Sequence, residues 1–153
     1  MAVNIIPFQP SRAEAFRDLN LAWLKKYFKV EEKDKKLLED SERHIIVPGG
    51  FIFMAVQGRQ TVGCFAFIKI GEGVFELGKM AVDPTHQGRR IGQQLLSYGI
   101  RYARDRQWKK IILYSSTRLG PALHIYRKFG FREVPLEKEL PYLRSDIKME
   151  LDL

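Results

Sequence analysis

Apolar positions along the chain fall into blocks whose spacing switches between helical and extended. Phe16, Leu19, Trp23 and Tyr27, with Leu24 and Phe28 beside them, recur at the interval of one helix face. Ser11-Arg12-Ala13-Glu14 ahead of them reads as a capping box, with Ser11 at N-cap and Glu14 at N3. Residues 31–40 are charged except for Leu37 and Leu38, which predicts a short, largely exposed second helix. A brief apolar segment, 44–48, ends at Pro48-Gly49-Gly50. Residues 51–57, 61–70 and 74–82 are apolar runs separated by the turn signals Gly58-Arg59 and Gly71-Glu72-Gly73, and they predict a three-stranded antiparallel meander. Gly78 falls inside the third strand, where glycine marks a bulge or a close backbone approach.

The second half returns to helical spacing. Ile91, Leu95, Leu96, Tyr98, Gly99, Tyr102 and Ala103 share one face of a helix, with Gln93, Gln94, Arg101 and Arg104 mainly outside it. Residues 111–114 form a short apolar run, read as a buried strand parallel to the one ending at Val82, with the helix as crossover. Residues 118–129 predict another helix, with Pro121 in its first turn and Gly130 at the C-cap. Residues 3–7, 131–134 and 146–151 read as short strands, and 135–145 as a loop. The class is α/β, a mixed sheet flanked by helices.

Composition narrows the setting. The 153 residues, 45% hydrophobic and 29% charged, suit one folded domain over residues 1–153 and exclude a disordered chain. Cys64 is the single cysteine, which excludes an internal disulfide and fits a reducing compartment. The N-terminal residues lack the basic region and apolar length of a signal peptide, and no apolar run spans a bilayer, so a cytoplasmic protein without a membrane partner is expected. The formal charge is +8 and unevenly placed. Residues 86–110 hold seven Arg and Lys against one acid, Asp105, whereas residues 31–43 hold six acids against four bases. Such an excess points to an anionic partner.

The candidate chemistry lies where the positive charge begins. Met80-Ala81-Val82 ends a strand, Asp83-Pro84 breaks it, and Gln87-Gly88-Arg89-Arg90-Ile91-Gly92 leads into a helix. First-turn amides lack intrahelical partners and the helix dipole favours anions there. Gly88 and Gly92 permit close backbone approach, and Arg89 and Arg90 add fixed charge, so the stretch reads as a pyrophosphate cradle. It is neither a P-loop nor a dinucleotide fingerprint, since the Gly-Lys-Ser/Thr and Gly-x-Gly-x-x-Gly spacings are missing. His44, His86 and His124 lack metal-ligand spacing, so no metal site is expected. Ser115 and Ser116 carry no nucleophile signature, and Cys64 sits mid-strand as a small core residue, which disfavours a covalent acyl-enzyme.

Two segments together resemble the GCN5-related N-acetyltransferase (GNAT) superfamily. Gln87-x-x-Arg90-x-Gly92 is similar to the family's acetyl-CoA motif, Gln/Arg-x-x-Gly-x-Gly/Ala. The stretch Leu119-Gly-Pro-Ala-Leu-His-Ile-Tyr-Arg-Lys-Phe-Gly-Phe131 resembles its Ala-x-x-x-Tyr-x-x-x-Gly-Phe segment. The resemblance covers nearly the whole chain and is strongest over residues 76–131. It implies a GNAT-type, mostly antiparallel central sheet with a splayed parallel strand pair, and acetyl-CoA as cosubstrate. It implies that backbone groups of Met80 and Val82 bond the pantetheine arm, with the Met80 or Ala81 amide region polarising the thioester carbonyl. The loop from Gln87 through Gly88, Arg89, Arg90 and Ile91 to Gly92, with Gln93, would hold the pyrophosphate. Two positions depart from the pattern. Arg90 replaces a glycine: an unusual backbone there would weaken phosphate binding, whereas a helical one would let the guanidinium add a contact. Ser116 stands where many relatives have asparagine, at a position of polar contact with the cofactor.

The implied reaction is direct acetyl transfer to a primary amine. The amine must lose a proton, the carbonyl oxygen needs a donor and the thiolate needs a proton. Tyr126 occupies the family's tyrosine position and is the candidate acid, or else a packing residue. Glu76 is the candidate base, or else a surface glutamate on the sheet. Asp83 reads as a turn residue. The acceptor is a small polyamine-like or amino-acid-like molecule or a protein amine, and the acidic 31–42 region would flank its site and favour a cation. The C-terminal end of the 16–28 stripe is core or a substrate wall. A homodimer is implied by analogy alone. The alternatives are a basic nucleic-acid-binding module using the helix with Tyr98 and Tyr102, the weaker reading, and an acetyl-CoA-binding domain without catalysis.

Overall fold

A computed structural model describes residues 2–153; Met1, the first residue of the N-terminal segment read above, lies outside them. Strand β1 (Asn4–Pro7) leads to helices α1 (Ala13–Tyr27) and α2 (Glu32–Glu39), and the meander follows as β2 (Phe51–Gln57), β3 (Gln60–Gly71) and β4 (Val74–Val82). Helix α3 (Ile91–Asp105) crosses to β5 (Lys110–Ser115), and α4 (Gly120–Lys128), β6 (Arg132–Val134) and β7 (Ile147–Asp152) complete the chain. One sheet has the order β1-β2-β3-β4-β5-β7-β6, and only β4 and β5 run parallel. Among the described residues no helix is long and apolar enough to cross a membrane.

Alternation divides the core between two faces of the sheet. Phe53 and Ala55 of β2 with Phe65 and Phe67 of β3 face α3, while Met54, Cys64 and Ala66 face α1 and α2. Both faces of β2 and β3 are therefore buried, which is why their sequence is a continuous apolar run rather than an alternating one. Helix α3 sits close to the sheet at Gly99. A Cβ there would lie 3.0–3.1 Å from the rings of Phe65 and Phe67. On the other face, Phe16 and Leu24 of α1 pack with Leu37 and Leu38 of α2.

Two local expectations need correction, and a third is located. Ser11 does not cap α1: Pro10 starts a 3-10 turn over Pro10–Arg12, so Ser11 is already helical and Arg12 precedes α1 without a side-chain cap. The capping box lies instead at α2, where Glu31 and Asp34 exchange side-chain and backbone bonds. Nor is α2 largely exposed, because Asp34, Leu37 and Leu38 are all buried. The bulge expected near Gly78 is present and follows it directly. Cys64 pairs Ala81 and Ala66 pairs Gly78, so β4 carries one extra residue, and Lys79 takes a left-handed φ of 51°.

Candidate active site

The parallel pair is short. Val74, Phe75 and Glu76 pair with Lys110, Ile111 and Ile112, and beyond Glu76 the two strands part. The gap opens a cavity of about 90 Å³ lined by β4 from Glu76 to Met80, by β5 from Leu113 to Ser116, and by Trp23, Phe28, Tyr126, Tyr142 and Arg144. Glu76 is only 3% exposed, and the Tyr142 hydroxyl donates to its Oε2 at 3.4 Å. Burial pushes the Glu76 carboxyl above its ordinary pKa, against the opposing pull of Lys33, Lys79 and Arg144. A Cβ on Gly78 would come within 3.4 Å of Glu76 Oε2, so a small residue there leaves that oxygen room.

An ion-pair cluster walls the cavity. Asp34 Oδ1 accepts from Lys79 Nζ at 2.5 Å and from Arg144 Nη2 at 2.9 Å, and Oδ2 accepts from Arg144 Nη1 at 2.7 Å and from the Glu31 amide at 2.9 Å. Arg144 also donates to Glu31 at 3.0 Å. Burial alone would raise the Asp34 pKa, but the bonds from Arg144 and the charge and bond of Lys79 outweigh it and bring it down to about 2. One carboxylate thus ties α2 to the β4 bulge and to the loop before β7. The ring of Tyr142 lies among three cations, with Lys79 and Arg144 each 4.5 Å and Lys33 4.8 Å from its centroid.

A second, open cavity of about 410 Å³ lies at the other end of the gap. Its walls are the end of β4, the loop into α3, the start of α3, and Ala122, Ile125 and Tyr126 of α4. Among the described residues no side chain caps α3, so its first-turn amides have no side-chain partner there. A Cβ on Gly88 would meet nothing within 4 Å, and one on Gly92 would meet only Val82 at 4.0 Å. An anion can therefore approach the backbone here. The Arg90 alternatives resolve toward the unusual backbone: φ is 58° and ψ 26°, a left-handed cap that glycine would adopt without strain. Arg90 still lines the cavity. Trp23, Met80 and Tyr126 border both cavities, so the two meet at these three residues.

Residues 15–131 match the Acetyltransferase (GNAT) family. The chain belongs to this family. It is 31% identical over 121 residues to a mycothiol acetyltransferase of Saccharomonospora viridis, a match covering 73% of this chain and 39% of that longer protein. A GNAT-family acetyltransferase of Staphylococcus aureus Mu50 superposes with a TM-score of 0.86, at 25% identity and 99% coverage of both chains. The PaiA N-acetyltransferase of Thermoplasma acidophilum, solved with coenzyme A, shares the fold with a TM-score of 0.75 at 17% identity, with 100% of both chains covered.

Within this GNAT fold the candidate residues divide between the two cavities. Met80, Ala81, Val82, Gln87, Gly88, Arg90, Ile91, Gly92, Gln93 and Tyr126 line the outer one. Arg89 is exposed beside it and does not line it. Ser116 lines the inner cavity instead, with its Oγ accepting from the Arg118 amide at 3.2 Å. Glu76 is buried in the inner cavity and is not a surface glutamate. Burial raises the pKa of Tyr126, so its phenol stays protonated at neutral pH. Asp83 is the turn residue expected, accepting from the Thr85 amide at 2.8 Å. Cys64 is buried, and burial pushes its thiol up to about 12, which removes it as a nucleophile.

Lys79, Asp34, Tyr142 and Arg144 were not anticipated in the sequence. Asp34 lies in a charge run that reads as solvated, and Tyr142 and Arg144 lie in an irregular loop. The acidic 31–42 stretch does not offer its charge to a cationic acceptor through Glu31 or Asp34, because Arg144 and Lys79 already neutralise both. Trp23 and Phe28, at the C-terminal end of the α1 stripe, do form a wall of the cavity.

Proposed function

We propose that the protein transfers acetyl directly from acetyl-CoA to a primary amine. The reading rests on the meeting of the two cavities at Met80 and Tyr126, which gives each substrate its own entrance to one point. The outer cavity suits a pyrophosphate and its pantetheine arm: Gln87, Gly88, Arg90, Ile91, Gly92 and Gln93 take the phosphates, with Arg89 at the rim, and the backbone of Met80, Ala81 and Val82 takes the arm. Related folds solved with coenzyme A support this assignment. The inner cavity receives the amine.

In the reaction a C–N bond forms as the C–S bond breaks. Glu76 accepts the proton released by the amine, and its raised pKa brings it nearer the operating range of a general base. Tyr126 gives a proton to the departing thiolate, and backbone amides at the β4 bulge polarise the carbonyl. Ser116 supports the wall next to Tyr126. The first experiment is calorimetry with acetyl-CoA, followed by release of free CoA thiol across a broad amine panel. Saturation at one site per chain, with thiol release that depends on both substrates, is the expected result. Binding without transfer to any amine would leave an acetyl-CoA-binding domain, and the catalytic reading would be wrong.

A further inference from the structure

The inner cavity also carries charge that the transfer reaction does not use. Lys33 lies over the Tyr142 ring at 4.8 Å and Arg118 over the Phe28 ring at 5.1 Å, and both rings line the cavity. Among the described residues, neither Lys33 nor Arg118 has a carboxylate within ion-pair distance, in contrast to Lys79 and Arg144. Glu31 and Asp34 are taken up by Arg144 and Lys79, so neither acid of that cluster is left to neutralise Lys33 or Arg118. Deeper in lies Glu76, and among the groups that oppose its burial Lys33 exerts the largest pull. Neither cation lines the cavity itself, so the charge order is positive beside its aromatic walls and acidic at Glu76. A diamine or polyamine would meet repulsion at its second ammonium. A zwitterion would place its amine toward Glu76 and its anionic group toward the cations. The volume of about 90 Å³ restricts the buried part to a few heavy atoms.

We infer that the acceptor is a small amino acid with a free carboxylate, held by Lys33 and Arg118 while its amine faces Glu76. This rests on the acetyltransferase reading above and specifies its substrate. The acid's amine nitrogen bonds the acetyl carbon, the thioester C–S bond breaks, the amine proton passes to Glu76, and the carboxylate stays ionised throughout. Each cation sits over its own ring, which orders the long side chain before the ligand arrives.

The test is steady-state thiol release with L-amino acids, each compared with its amide and its decarboxylated amine. At least one acid should exceed both carboxylate-free partners in kcat/KM by about 10-fold or more, the usual size of one charge-assisted contact. Arg118→Gln and Lys33→Gln should each reduce that ratio several-fold, mainly through KM for the acid. Acetyl-CoA affinity of the same variants reports whether they are folded. Measurable transfer with amides or decarboxylated amines equal to or better than every acid would overturn the assignment and leave the acetyltransferase reading intact. Preference for an acid that survives both substitutions would remove Lys33 and Arg118 from its recognition. No transfer to any amine despite acetyl-CoA binding would overturn both.

Discussion

Asp34 is the residue on which the walls of the inner cavity depend. It is fully buried and accepts four bonds from Lys79, Arg144 and the Glu31 amide. Asp34→Ala leaves Lys79 without a carboxylate in ion-pair distance, while Arg144 keeps Glu31 at 3.0 Å. Folding lowers the Asp34 pKa from 3.8 to about 2, which corresponds to roughly 2 kcal/mol at neutral pH. That contribution is complete above about pH 5 and is lost as the pH falls through 2. Deletion costs more than protonation because it also strands the buried Lys79 ammonium, so about 3–5 kcal/mol is expected. For a chain of this length that is a fall in Tm of roughly 6–20 °C. Urea denaturation at pH 7 and near pH 2.5 measures both parts: the gap between parent and variant should narrow at the lower pH. Asp34→Ala/Lys79→Met should be more stable than Asp34→Ala alone, since it removes the stranded charge. A loss under about 1 kcal/mol at pH 7, or the same loss at both pH values, would refute the view that this cluster holds the site together.

Glu76→Gln should lower kcat by about 10²–10⁴-fold. Because burial raises the Glu76 pKa, its ionisation costs stability as the pH rises through the folded value. The same variant should therefore be more thermostable than the parent at pH 8, with the advantage shrinking toward pH 4; a less stable variant at pH 8 would contradict the assigned burial. Tyr126→Phe should reduce kcat by about 10²-fold with acetyl-CoA affinity little altered, and a change under 3-fold would end its role as the acid. Arg90→Gly relieves a left-handed backbone and should raise stability by up to about 1 kcal/mol, measured by denaturation of the free protein. Calorimetry on it should show acetyl-CoA binding no weaker than in the parent, since glycine takes the same left-handed backbone without strain.

Much of the fold was legible along the chain because it depends on neighbours in sequence. The bounds of β2 and β4 coincide with the apolar runs before Gly58-Arg59 and after Gly71-Glu72-Gly73, and Gly130 follows α4 with a φ of 101°. The cradle was legible for the same reason, since strand end, loop and helix start are consecutive. Glu76 could be placed on a strand from sequence, but whether it met water could not be decided locally. The hydroxyl that bonds it belongs to Tyr142, 66 residues away. Lys79, Asp34 and Arg144 were harder still. A charged side chain reads as solvated unless its partners are known, and Asp34 finds Lys79 at a separation of 45 residues and Arg144 at 110. Local patterning carries the strands, helices and anion cradle because backbone bonding and amphipathic spacing are short-range. The buried charges became clear only in the folded chain, because desolvating one carboxylate is tolerable only when distant cations arrive at the same point.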